Sequence, residues 1–92
     1  MSTHIYELCY MHSSDNGSVK LHDTFGSLQD ARDAMKREIN YMSSHRSTKP
    51  DKILSAKNGF TAIFLPKTIP AYTITYFIIR DDEKFYGQKL AY

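Results

Sequence analysis

Residues 36–52 read KREINYMSSHRSTKPDK and set five Lys/Arg against Glu38 and Asp51. Flexible cations at this density can contact phosphates without reading base sequence. The first chemistry to weigh is therefore the binding of an anionic partner. Lys36, Arg37 and Asn40 are spaced for the outward arc of a helix, and Arg46, Lys49, Lys52 and Lys57 follow in a loop able to splay over the same helix end. A solvated helix end accounts for part of this pattern. Cations near a helix C-terminus offset the macrodipole, and Asp33 stands four residues before Arg37, within reach of an ion pair. A solvated helix end explains the lysines of the loop less well.

Other chemistries find less support. Cys9-x-x-His12 has the look of a metal pair, but on a strand residues three apart point to opposite faces and cannot chelate one ion. His12 and His22 would approach only in a different hairpin register. Cys9 lies mid-strand with no base to activate it, and a free cysteine packs as a small hydrophobe. The chain holds no HExxH, no paired CxxC and no nucleophile elbow, and its four glycines are scattered rather than gathered in a phosphate loop. Asp81-Asp82-Glu83 reads as a turn. KNGFTAIF at 57–64 has a superficial likeness to the aromatic strand of an RNA-recognition motif, but Thr61 and Ala62 stand where a small residue and a stacking aromatic are needed. The reading is a binding protein rather than an enzyme, with no catalytic residue, no cofactor and no metal site.

The elements that must position these residues belong to one small domain, residues 1–92. A chain of 92 residues buries roughly 60–65% of its unfolded surface, which leaves little interior for a deep pocket. Its hydrophobic fraction of 41%, with seven Tyr and five Phe, is that of a globular protein. A single cysteine rules out an internal disulfide and fits a reducing compartment. The opening MSTHIYELCYMH lacks a basic, then apolar, leader pattern, and ITYFII at 74–79 is too short to span a bilayer. A cytoplasmic protein with no membrane contact is expected. The net charge of +2 is uneven: −3 over residues 1–35, +4 over 36–57 and +1 thereafter.

Ile5–His12 and Val19–Phe25 are rich in β-formers and flank Asn16-Gly17, the strongest short hairpin signal. A two-residue turn there pairs Leu8 with Phe25, Tyr10 with Asp23 and His12 with Leu21. That register gathers Tyr6, Leu8, Tyr10, Val19, Leu21 and Phe25 on one face. Leu28–Ser43 carries Leu28, Ala31, Met35, Ile39 and Met42 at helical spacing, with Ser27 and Asp30 placed as a capping pair. After the loop SSHRSTKPDK come strands at 60–65 and 71–80, joined by PKTIP, whose prolines punctuate strands. KFYGQKLAY is a candidate short fifth strand. The expected fold is α+β, of order ββαββ: an antiparallel four-stranded sheet with one helix on one face.

Such a helix covers one face only. Strand 71–80 is nonetheless apolar on both sides, with Tyr72, Ile74, Tyr76 and Ile78 on one and Thr73, Thr75, Phe77 and Ile79 on the other. That is the pattern of a strand buried on both faces. Either FYGQKLAY folds back over the second face, or a partner or another copy meets it, or a central strand simply carries some exposed Tyr and Thr. Tyr72 and Tyr76 are then candidate apolar anchors.

In length and element order, through IYELCYMH, SVKLHDTF, SLQDARDAMKREINYM, FTAIFL and AYTITYFIIR, the chain resembles the small phage-encoded anti-CRISPR proteins that disable type I-F surveillance complexes. No diagnostic motif carries the resemblance. It implies a non-enzymatic inhibitor that binds Cas subunits with their crRNA, in the cytoplasm of the bacterial host. The partner-binding set expected is Lys36, Arg37, Asn40, Arg46, Lys49 and Lys52 with Tyr72 and Tyr76. Two alternatives stand beside it: a homodimeric structural or regulatory module packed through strand 71–80, and a sequence-nonspecific nucleic-acid-binding protein.

Overall fold

The computed structural model describes residues 4–45 and 49–81. One helix, α1 (Leu28–Ser44), lies on a five-stranded antiparallel sheet of β1 (Tyr6–His12), β2 (Val19–Phe25), β3 (Lys52–Ala56), β4 (Gly59–Phe64) and β5 (Tyr72–Arg80). The strand order across the sheet is β2-β1-β5-β4-β3. The fold is α+β as expected, but its order is ββαβββ. The fifth strand is β3, inside a segment read above as loop. The C-terminal stretch proposed for that role, residues 84–92, lies outside the described residues.

The helix begins where the sequence signals it. Ser27 is extended (φ −143°, ψ 154°) and its Oγ accepts from the backbone N–H of Asp30 at 3.1 Å. Such a bond satisfies one of the donors that every helix N-terminus leaves unpaired, an effect of about 1 kcal/mol. Of the apolar stripe read from the spacing, Ala31, Met35 and Met42 are buried and Leu28 and Ile39 partly so, and Ala34 is buried beside them. The stripe packs on Leu8 of β1, Phe60, Ala62 and Phe64 of β4, and Tyr76 and Ile78 of β5.

β5 sits at the centre of the sheet between β1 and β4. On the helix side two aromatic rows cross the strands. Phe60, Tyr76 and Tyr10 stack with centroids 5.0 and 5.5 Å apart, and Phe64, Tyr72 and His12 with centroids 4.7 and 5.0 Å apart. Cross-strand rings of this kind add to burial and hold the register. On the other side Thr61 and Thr75, paired across β4 and β5, share a hydroxyl hydrogen bond of 3.0 Å.

The β1–β2 connection departs from the simple hairpin. Asn16 and Gly17 do take the left-handed conformation (φ 55° and 78°), and Ser18 N–H donates to Asp15 C=O at 3.0 Å. Before them, however, Ser13–Asp15 form a 3-10 turn whose start is held by His12: its Nδ1 accepts from Ser14 N–H at 3.2 Å and lies 2.7 Å from Ser14 Oγ. The longer connection shifts the register, so Tyr6 meets Phe25, Cys9 meets Leu21 and Met11 meets Val19, with a bulge opposite Leu8/Cys9. Tyr6, Tyr10 and Phe25 pack against the core as expected, but Val19 and Leu21 do not. They share a face with Met11 and Cys9 and remain 51% and 54% exposed. The face separation argued from the two-residue turn is therefore corrected for β2: a bulge inverts the alternation at the point where it occurs.

β3 was hidden because its five residues, KILSA, bury little; only Ile53 is packed against the core. Its pairing comes from both ends. Asp51 N–H donates to Ile63 C=O at 2.8 Å, and Asp51 Oδ2 accepts from Leu65 N–H at 2.6 Å. At the other end Ala56 pairs with Gly59 across Lys57-Asn58. Gly59 has a steric reason to be glycine: a Cβ there would lie 2.8 Å from the backbone oxygen of Tyr76. Gly59→Ala is therefore expected to lower stability by about 1–3 kcal/mol in urea unfolding, as overpacking does. Gly26→Ala, where a Cβ would meet nothing within 4 Å, is the matched control and should shift it by less than about 0.5 kcal/mol.

Candidate interaction surface

The outward face of α1 is the best-defined polar surface. Lys36, Arg37 and Asn40 are all exposed there, as their spacing implies. Asp33 does not neutralise Arg37; its Oδ1 accepts from Gln29 Nε2 at 2.9 Å. Among the described residues neither Lys36 nor Arg37 has an ion pair. Arg32, one turn before Lys36, donates from Nε to Asn58 Oδ1 at 2.9 Å and ties the helix to the β3–β4 turn, beside exposed Lys57. Asp30 and Asp33 sit in the N-terminal half, where the dipole favours them, and Lys36 and Arg37 follow at the middle of the helix.

The rest of the sequence-derived set divides among other places. Arg46 lies outside the described residues. Lys49 is exposed beyond the helix end, ahead of buried Pro50. Lys52 opens β3 opposite Ile63, and its neighbour Ile53 faces the core, so Lys52 projects from the sheet face away from α1. It cannot share a flat contact with Lys36 and Arg37. The idea that the whole loop splays over the helix end is corrected at this position, because strand alternation decides the side.

The two tyrosines also part company. Tyr76 is 8% exposed, stacked between Phe60 and Tyr10 beneath the helix. It is a core residue and not a surface anchor. Tyr72 is half-buried at the end of the sheet and borders a cleft of about 460 Å³ with His12, Ser13, Ile69 and Pro70. The size is that of a site for a small group or a partner side chain.

One residue of the surface escaped the sequence reading. Tyr41, 55% exposed, follows Arg37 by one turn, and His45 follows Tyr41 by another. The Tyr41 and His45 rings stack with centroids 4.0 Å apart and 26° between planes. His45 Nδ1 lies 2.7 Å from Tyr41 C=O, and since a carbonyl only accepts, that nitrogen carries the proton. Ser44 Oγ donates to the same carbonyl at 3.2 Å. The helix end thus uses its orphan carbonyl to fix the imidazole parallel to the phenol. The i, i+4, i+8 spacing of Arg37, Tyr41 and His45 was the available signal.

On the opposite flank of α1 lies a second polar cluster. His22, aimed toward the helix by the bulge, donates from Nε2 to Glu38 Oε1 at 2.8 Å and meets Tyr10 and Tyr76 edge-on, with centroids 6.3 and 5.7 Å away. Glu38 is thereby engaged on the sheet side of the helix. Cys9, by contrast, is buried on the face away from α1, so it and His12 project to opposite sides. Among the described residues no three metal-ligating side chains come together, and no helix is long and apolar enough to cross a membrane.

Burial, with the Glu38 carboxylate and Tyr10 as lesser causes, pushes the Tyr76 hydroxyl from 10.0 up to about 12. A raised folded-state value means that the neutral phenol contributes its full stability below pH 10.0 and that this is lost as pH rises toward about 12. Spectrophotometric titration should show a tyrosine ionising at about pH 12, together with a fall in stability above pH 10.0. Tyr76→Phe should remove the late step and blunt that fall.

Comparisons of the chain with protein-family models, with curated proteins and with solved structures give no match.

Proposed function

We propose that the protein is a non-enzymatic binding protein, an inhibitor of the phage anti-CRISPR kind that docks on a Cas protein–RNA complex through the C-terminal half of α1. The observation that carries this reading is the exposed pair Lys36 and Arg37, with Asn40 beside them, left without acidic partners among the described residues while Asp33 and Glu38 are engaged elsewhere. Charges held uncompensated on a rigid helix steer association with an anionic surface. Tyr72, at its cleft, supplies a place for an apolar side chain of the partner. Lys49 extends the positive surface beyond the helix end, whereas Lys52 and Tyr76 take no part in it. Host cytoplasm is the compartment this activity requires.

Affinity capture from bacterial lysate, with and without nuclease, tests the proposal. A defined protein–RNA complex should be retained after nuclease, and Lys36→Ala/Arg37→Ala should reduce its recovery at least tenfold while leaving the circular dichroism spectrum unchanged. Equal recovery by the folded double variant would sink the helix-face proposal.

A second reading draws on the sheet. Val19, Leu21 and Leu54, at the two flanks of the face away from α1, are each about half exposed. Paired flanks of this kind suit a homodimer joined face to face. Sedimentation at tens of micromolar decides it: a dimer that Leu21→Glu/Leu54→Glu converts to monomer supports the module, and a wild-type monomer removes it.

A further inference from the structure

We infer that the C-terminal half of α1 is a single-stranded nucleic-acid contact, in which Tyr41, held parallel to His45, stacks a base while Arg37 and Lys36 meet the adjoining phosphates. The inference rests on the docking reading above and names the part of the complex that this face touches: an exposed strand rather than a protein surface.

Sequence-tolerant single-strand binding combines uncompensated cations with aromatic faces on which bases stack. Both are present here on one rigid element. Tyr41 is 55% exposed although one face of its ring is covered by His45, so the remaining face and edge are open to a planar group. The pair is preorganised. His45 Nδ1 is anchored at 2.7 Å to the carbonyl of Tyr41 itself; Tyr41 lies in the last turn of the helix, and His45 caps that turn with an extended backbone (φ −110°, ψ 120°). A base that stacks here therefore has little side-chain freedom to freeze, which is the usual cost of binding through an exposed ring. Arg37 stands one turn before Tyr41, and Lys36 and Asn40 lie beside it on the same exposed half of the helix. Their positive charge is uncompensated among the described residues. A duplex offers phosphates but keeps its bases stacked inside, so the aromatic pair would gain nothing from it.

A single helix face presents few phosphates with contacts, so the affinity will be modest and salt-sensitive. With about two phosphates neutralised, it should fall several-fold between about 50 and 200 mM salt.

Fluorescence anisotropy of the full chain with a labelled oligo-dT, an oligo-U and a DNA duplex tests the assignment. Single strands should bind more tightly than the duplex. Tyr41→Ala should weaken single-strand binding roughly tenfold, the scale of one lost stacking contact, without changing duplex binding. Tyr41→Phe should restore it, because the ring and not the hydroxyl does the stacking. Lys36→Ala/Arg37→Ala should flatten the salt dependence. Tyr41 is on the surface, and unchanged thermal unfolding of its variants verifies the fold. Wild-type affinity in Tyr41→Ala, or no preference for single strands, overturns the stacking contact. If no oligonucleotide binds at low salt while Lys36→Ala/Arg37→Ala still abolishes capture of the lysate complex, the face meets protein: the single-strand inference falls and the docking proposal stands. Oligonucleotide binding that Tyr41→Ala impairs, without any captured complex, leaves the inference intact and removes the docking proposal.

Discussion

The pairing of the first strand with the last holds this structure together. β1 and β5 run antiparallel from Tyr6↔Arg80 to His12↔Ile74, and every other strand is added outside them. β2 attaches to β1 and the β3–β4 hairpin attaches to β5, so neither flank has a place until residues more than sixty positions apart have met. Such non-local closure costs chain entropy before any burial compensates it. Leu8 and Ile78, opposite each other at the centre, lie under α1 and provide the apolar contact that offsets that cost.

A single extra residue in β2 then sets what each surface offers. The bulge re-aims His22 toward Glu38 and the tyrosines, and it releases Val19 and Leu21 to the other face. Bulges also twist an edge strand and discourage pairing with another chain. At the opposite edge the same end is served by a short β3 that starts with a lysine. Both edges are thus blunted, which leaves the helix face and the flanks of the sheet as the surfaces with chemistry to offer.

Positive charge on this protein matters by position rather than by amount. A net charge of +2 is small, but Asp33 is bonded to Gln29 and Glu38 to His22, so Lys36 and Arg37 stand without an ion pair among the described residues. The same helix end stacks Tyr41 on His45. Cation, ring and rigid backbone occupy one half of one helix, while the hydrophobic work of the fold is done on its other side.

The sequence by itself determined α1, its Ser27 cap and its apolar stripe, since these depend on contacts within four residues along the chain. It also determined β1, β2, β4 and β5 and the two-sided character of β5, through β-propensity and alternation. Of the surface, it identified Lys36, Arg37 and Asn40, because helical spacing places them outward whatever the sheet does. Only the tertiary structure decided the rest. β3 exists because Ile63, Leu65 and Gly59 offer it partners, not because KILSA favours a strand. The 3-10 turn held by His12, which no turn signal announces, sets the register in which Val19 and Leu21 pair with Met11 and Cys9, off the core. Lys52 and Tyr76 were placed by strand alternation and by the helix above them, so spacing alone could not show that one points away and the other is buried. Backbone periodicity fixes which residues share a face of their own element; which face meets what is fixed by pairings between segments far apart, and those are written in no local stretch.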